Sequence, residues 1–546
     1  MANRLLGSIM VRFDRLSSHR VSRRAVYVLA VVFLVSFILL PPILGITFKL
    51  NLAGEVLSNS DLLRRAEASI FWSFAIAFSV ATLDLLAGLP FAWYIARGKS
   101  RWISLLDALA DIPFVIPTVA LGFSTLLFWG NTGPISVLGI SVAPGLILVL
   151  LLHFTFSFPV VVRVMVGELL AYNTVYETAA KTLGARTFTI ARTVTLPLLR
   201  PGLIAAFLLA FARSLSETGA TVIVAGGFEN GPVFIKNAQD AGLQGPMVLV
   251  SFTLIISSVT VFALIRLLGN RLKIPINRVY PGPEARLSSS RSVNTRNGLT
   301  LLIFGFFVLI PAIYITFPAA TALTDGTLQR AISGTGIWSS FWQSMTLSYT
   351  IAVLVTLINI GLGLPVAILI ARKRLGRLLT TLLDAIVNVP IVVPSVALGV
   401  SLGIFWRSFG FLPEFWILVF AHMTITYTYF VQAMAAAIEG IPEEMEETAR
   451  TLGSKPLHVF RKIIVPLTKY SFLSGAILVF TRSVDETGAA TAVSQTLKTA
   501  PVLLVSWVKH QVPATQSDIA LGISFLVLTS FVSLLVLRLI VYRGKK

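Results

Sequence analysis

Long apolar runs recur along the whole chain, at about 25–48, 69–96, 105–129, 142–166, 197–225 and 245–268, and again at 299–321, 341–371, 380–406, 414–438, 466–493 and 517–541. A helix needs ~20 apolar residues to cross the ~30 Å hydrocarbon core of a bilayer, and each run approaches or exceeds that length. A transmembrane barrel would instead alternate apolar and polar residues in short segments. The pattern predicts an all-α polytopic membrane protein of about twelve spans. A polar stretch rich in Pro, Gly and Ser separates spans six and seven, which divides the chain into a first repeat (1–270), a linker (271–297) and a second repeat (298–546).

The two repeats are copies of one another. Asp111-Ile-Pro-Phe-Val-Ile-Pro-Thr-Val-Ala-Leu-Gly122 aligns with Asn388-Val-Pro-Ile-Val-Val-Pro-Ser-Val-Ala-Leu-Gly399, and Leu215-Ser-Glu-Thr-Gly-Ala220 with Val484-Asp-Glu-Thr-Gly-Ala489. Six spans per copy give both the same orientation, hence a pseudo-two-fold axis along the membrane normal.

Composition sharpens this picture. The chain is 55% hydrophobic and 12% charged, with mean hydropathy +0.85, so it cannot present an ordinary water-facing surface. Its net charge of +20 would suit a nucleic-acid binder, but the basic residues cluster beside span ends, the pattern of membrane topology. Nucleic acid is therefore not an expected partner, and the lipid bilayer is. Arg4, Arg12, Arg15, Arg20, Arg23 and Arg24 precede span one; Arg97, Lys99 and Arg101 follow span two; the linker carries Arg271, Lys273, Arg278, Arg286, Arg291 and Arg296. With Arg372, Lys373, Arg374, Arg377 and the terminal Arg543, Lys545 and Lys546, these place both termini in the cytoplasm of a multi-pass cell-membrane protein. The first run is too long for a signal-peptide core and reads as an uncleaved span. Cysteine is absent, which excludes disulfides and thiolate metal sites.

Between spans four and five each repeat carries a related polar segment: Tyr176-Glu-Thr-Ala-Ala-Lys-Thr-Leu-Gly184 with Pro197, and Met445-Glu-Glu-Thr-Ala-Arg-Thr-Leu-Gly453 with Pro466. Glycine and proline are 13 residues apart in both. The reading is two short helices joined at glycine. Thr174 and Glu177 have capping-box spacing, Pro442 and the acidic residues after it suit a helix start, the glycines can turn left-handed, and Ser454 can cap the next helix.

This segment resembles the E-A-A-x-x-x-G loop of type I ABC importer permeases, in which the short helix docks in a cleft of the ATPase subunit. The resemblance covers essentially the whole chain, in duplicate. It implies coupling residues Glu177, Ala179, Ala180, Gly184 and Pro197, and Glu446, Glu447, Ala449, Gly453 and Pro466. Thr178 stands where the first glutamate is usual, so Glu177 and Glu446, one position earlier, are the candidate carboxylates. The implied partners are two copies of a cytoplasmic ATP-binding-cassette ATPase and an extracytoplasmic solute-binding protein. ATP and magnesium belong to the ATPase; no cofactor and no catalytic residue is expected in this chain. Gly98-Lys99-Ser100 ends like a phosphate-binding loop, but Trp93 replaces the first glycine that such a loop requires.

Ionisable residues inside spans need a reason to be there. Glu217 and Glu486 lie 20 residues beyond Pro197 and Pro466, some ~30 Å along a continuous helix, and the glycines that follow can break it. Arg213 and Arg482 precede them by four residues, so a structural ion pair within each helix and a role in lining a path are both open. With Thr218, Thr487 and Asp84, whose counterpart is Asn359, these are the path candidates. Pro113, Pro117, Pro390 and Pro394 would free carbonyls within spans three and nine. His153 and His422 read as hydrogen-bonded interior groups; no metal site is expected.

Fused two-copy permeases resemble the ferric-iron and thiamine importers, whereas the Glu-Thr-Gly-Ala segment is similar to the sulfate, molybdate and tungstate permeases. The resemblance implies an inorganic ion, an oxyanion ahead of ferric iron. The competing class is an ion-coupled secondary transporter or channel, which also uses repeats and intramembrane carboxylates but has no need of duplicated docking loops.

Overall fold

The computed structural model describes residues 18–98, 100–271 and 280–542, and every regular element among them is helical. Of the basic residues counted for topology, Arg4, Arg12, Arg15, Lys99, Lys273, Arg278, Arg543, Lys545 and Lys546 lie outside the described residues. Nine helices among those described are long and apolar enough to cross a membrane, and twelve if each of three sharply bent pairs is one span.

Sharp bends interrupt the third and ninth spans, where the sequence placed kink-forming prolines. In the third span, Arg101–Val115 meets Thr118–Leu138 at 103°, and in the ninth, Arg377–Val392 meets Ser395–Arg407 at 105°. The cause is local: Pro117 and Pro394 push the residues before them, Ile116 (ψ 127°) and Val393 (ψ 137°), into extended backbone. Each proline then caps the inner helix. The fifth and eleventh spans also break, at Glu217 (ψ 130°) and Glu486 (ψ 118°), after which the chain restarts as Gly219–Val224 and Gly488–Val493. The second repeat's first helix begins at Ser290, inside the stretch read as linker, after a short helix Pro281–Leu287.

The two repeats interlock. Ala30, Leu34 and Ile38 of the first span are buried among residues of the second repeat such as Ile351, Val355 and Tyr427, while Phe304 and Val308 of the seventh span join Phe91, Phe158 and Met165 of the first. Matching serines fix each exchange. Ser401 Oγ donates to the Pro42 carbonyl (2.6 Å) and accepts from the Ile46 N–H (2.9 Å); Ser124 Oγ does the same with Pro311 (2.6 Å) and Ile315 (2.9 Å). Buried hydroxyls between proline-containing turns satisfy backbone groups that water cannot reach in lipid.

Small residues let helices approach closely within each repeat. A Cβ on Gly122 would stand 2.9 Å from the Ala220 Cα, and one on Gly399 would stand 2.6 Å from the Ala489 Cα, so only glycine allows these helices their approach.

Candidate coupling loops and central constriction

Each polar loop forms the expected pair of helices. Val175–Thr182 ends at Gly184 with φ +81°, and Glu443–Thr451 ends at Gly453 with φ +86°, the left-handed turn that glycine takes without steric cost. Two capping expectations are corrected. Thr174 makes no side-chain cap: its backbone is already helical (φ −68°, ψ −8°) and the Asn173 side chain accepts from the Val175 N–H at 3.0 Å, while the helix after Gly453 takes Lys455, not Ser454, as its N-cap.

The two carboxylates read as candidate partner contacts turn inward. Glu177 Oε1 accepts from Arg97 Nη2 (2.9 Å) and from the Thr195 hydroxyl (3.0 Å). Glu446 Oε1 accepts from Arg372 Nε (3.0 Å) and Nη2 (2.7 Å), while Arg450 reaches its other oxygen at 3.1 Å. Arg97 ends the second span and Arg372 caps the eighth, so equivalent ion pairs fasten each loop helix to a membrane helix. Facing outward instead are Leu183 (88% exposed), Leu452 (82%), Tyr176 and Met445. Ala179, Glu447, Gly184, Gly453, Pro197 and Pro466 are also exposed, and Ala180 and Ala449 partly so. Sequence reasoning missed Arg97 and Arg372 as anchors, since only their place at span ends marked them.

The linker grips the first loop. Thr189 and Arg192 both donate to the Glu284 carboxylate, and Phe188 N–H donates to Ser288 Oγ at 3.1 Å. Hydrogen bonds from Thr189 and the Tyr280 N–H, with Arg192 beside them, hold the Glu284 carboxyl below its ordinary range.

At the centre the sequence-predicted path residues gather around the two helix breaks. Glu217 (4% exposed) and Glu486 (1%) each accept from the N–H three residues on, Ala220 at 3.1 Å and Ala489 at 3.0 Å, so the carboxylates cap the restarted helices. The within-helix pair exists in the second repeat, where Arg482 Nη2 lies 3.1 Å from Glu486; among the described residues Arg213 makes no ion pair and instead lies over the Phe156 ring at 5.4 Å. Thr218 and Thr487 meet Gly488 and Gly219 across the axis. Asp485 and Thr118, which sequence reasoning did not single out, bridge the halves: Asp485 Oδ1 accepts from the Thr118 N–H at 2.7 Å.

Asp84 stands apart. It is fully buried and accepts from Ser157, as Asn359 donates to Thr426 (2.9 Å) at the matching place. His153 bridges Ser214 and Thr221, both at 2.8 Å, and His422 meets Ser483 at 3.0 Å. No metal-binding cluster occurs among the described residues.

Two interlocked helical repeats, each with an anchored loop and a broken central helix, define a polytopic membrane permease built on a pseudo-two-fold axis. The chain belongs to the family described as binding-protein-dependent transport system inner membrane component, whose sequence profile matches residues 88–274 and 363–543. It is similar to the molybdenum transport system permease protein ModB of Mycobacterium tuberculosis (37% identical over 165 residues, 30% of this chain and 62% of that protein). It is also similar to ModB of Escherichia coli K12 (34% over 180 residues, 31% and 79%) and to the sulfate transport system permease protein CysT of Salmonella typhimurium (34% over 210 residues, 35% and 71%). The match thus spans less than two thirds of the mycobacterial relative.

Proposed function

We propose that the chain forms the whole membrane passage of an ABC importer for an inorganic oxyanion, coupled to two copies of a separate cytoplasmic ATPase through the loops centred on Gly184 and Gly453. The observation that carries this is their equivalence: two knobs, each fastened by one glutamate–arginine pair to a membrane helix and each presenting an exposed leucine at the same position. A rigidly anchored helix transmits displacement to the spans it is tied to, and exposed apolar side chains on an otherwise polar tip suit a protein cleft. Both knobs lie on one side, as the even number of spans per repeat requires, and a two-fold symmetric motor suits that axis. In this reading that side and both termini are cytoplasmic.

The solute follows from the relatives, whose names give molybdenum and sulfate, together with the arginines Arg213 and Arg482 at the centre. Guanidinium groups bind tetrahedral oxyanions through paired N–H donors. An extracytoplasmic binding protein delivers the solute, and the ATPase supplies nucleotide chemistry with its own ATP and magnesium. Reconstitution with the ATPase and binding protein in vesicles tests this: ATP-dependent uptake of sulfate, molybdate or tungstate is expected, with no ATP hydrolysis by the purified chain alone. Hydrolysis by that chain alone, or uptake without any ATPase, contradicts it.

A further inference from the structure

The repeats differ in charge at one position beside the centre: Ser216 in the first corresponds to Asp485 in the second. On the first side the Ser395 hydroxyl reaches only the Ser216 carbonyl, at 3.4 Å. On the second, the Asp485 carboxylate takes the Thr118 N–H at 2.7 Å and the Thr118 hydroxyl at 3.4 Å through Oδ1, with Arg482 Nη1 3.5 Å from Oδ2. A backbone N–H, a hydroxyl and a guanidinium around one carboxylate are the donors a free oxyanion would also take.

A cavity of about 110 Å³ opens beside this carboxylate, lined by Arg213, Arg482, Asp485 and Tyr429 against Ile116 and Pro117. Its charged lining is two guanidiniums and one carboxylate. Glu217 and Glu486 do not line it; they face Ala220 and Ala489, and Glu486 also pairs with Arg482. Arg213 has no ion-pair partner among the described residues, and its Nε, like that of Arg482, is buried without an acceptor. A buried guanidinium whose Nε lacks an acceptor is costly at membrane depth, and an anion in the cavity would supply one.

We infer that this cavity is a transient site for the translocating oxyanion, held by Arg213 and Arg482, and that Asp485 is a tethered competitor occupying the same donors when the passage is empty. The inference rests on the oxyanion reading above. An entering anion takes Arg482 and the Thr118 N–H from Asp485, loosening the bridge between the two repeats at the moment the passage must open. The competitor keeps the empty site from holding an anion tightly, so the site passes solute without trapping it.

The test uses the complete complex with its ATPase and binding protein in vesicles, with sulfate, molybdate and tungstate as the anions. Arg213→Gln, which breaks no ion pair, is expected to lower uptake per ATP hydrolysed at least about tenfold, the factor set by one charge-assisted hydrogen bond, with Arg213→Lys restoring part of it. Asp485→Ser, which copies the first repeat, is expected to let tungstate alone, without binding protein, raise the melting temperature of the solubilised complex more than it does for wild type. Unchanged uptake per ATP in Arg213→Gln, or no added tungstate shift in Asp485→Ser, overturns the site. Failure of the wild-type complex to take up any of the three anions instead overturns the oxyanion reading, and the site with it.

Discussion

Gly219 and Thr487 face each other across the pseudo-two-fold axis so closely that a Cβ on the glycine would lie 2.6 Å from the Thr487 Cβ, and Gly488 meets Thr218 in the same way. The two broken helices therefore touch through a glycine and a threonine from each half, and this crossing sets how near the repeats can come.

Gly219→Ala should destabilise this crossing by about 1–3 kcal/mol, the usual cost of overpacking a tight contact. The closest clash is with the Thr487 Cβ, which alanine would keep, so Thr487→Gly should recover most of the loss. Thermal unfolding of the single and double variants in detergent measures the coupling; additive losses would mean the two residues do not share the contact.

The two loop anchors differ in burial, and their loss should differ accordingly. The Arg372–Glu446 side chains are 5% and 3% exposed, against 27% and 14% for Arg97–Glu177. Arg372→Gln leaves the buried Glu446 carboxylate with Arg450 alone and should cost about 1–3 kcal/mol, whereas Arg97→Gln should cost less because water reaches that pair. Unfolding midpoints of the two variants check the order, and ATPase stimulation in the assembled complex should fall more for Arg372→Gln.

The linker clamp at Glu284 should be pH-dependent. Its carboxyl is held below the ordinary value of 4.5 by Thr189 and the Tyr280 N–H, so the clamp's stability is complete above that value and is lost as pH falls through the lowered one. Hydrogen exchange over Pro281–Leu287 should stay protected to below pH 4.5 and open at lower pH in wild type. Glu284→Gln should remove the dependence; an equal pH profile in that variant would contradict the clamp.

Much of this architecture was legible in the sequence, and the rest was hidden for identifiable reasons. The glycine and proline spacing of the loops, the breaks after Glu217 and Glu486, and the repeat itself are local, because backbone permissiveness and capping act within a few residues. The anchors were not legible. Glu177 meets Arg97 across 80 residues, which takes its carboxylate out of the capping box with Thr174 that local spacing suggested. The exchange of first helices through Ser124 and Ser401 spans 187 and 359 residues, and neither serine is distinguishable by sequence from others in apolar runs. The sharp bends at Pro117 and Pro394 were half visible: the prolines marked a kink, but its size depends on the helix that restarts against Ala220 or Ala489.

The coupling loops can be tested directly because the chain contains no cysteine. Leu183→Cys and Leu452→Cys place a single thiol on each exposed tip, and a bifunctional reagent can then be applied to membranes holding the assembled complex. The expected result is a crosslinked product between this chain and the ATP-binding subunit from each variant, with a yield that changes when ATP is bound. If both thiols react with reagents confined to the outside of the cell, or neither ever joins an ATPase, the coupling role is contradicted.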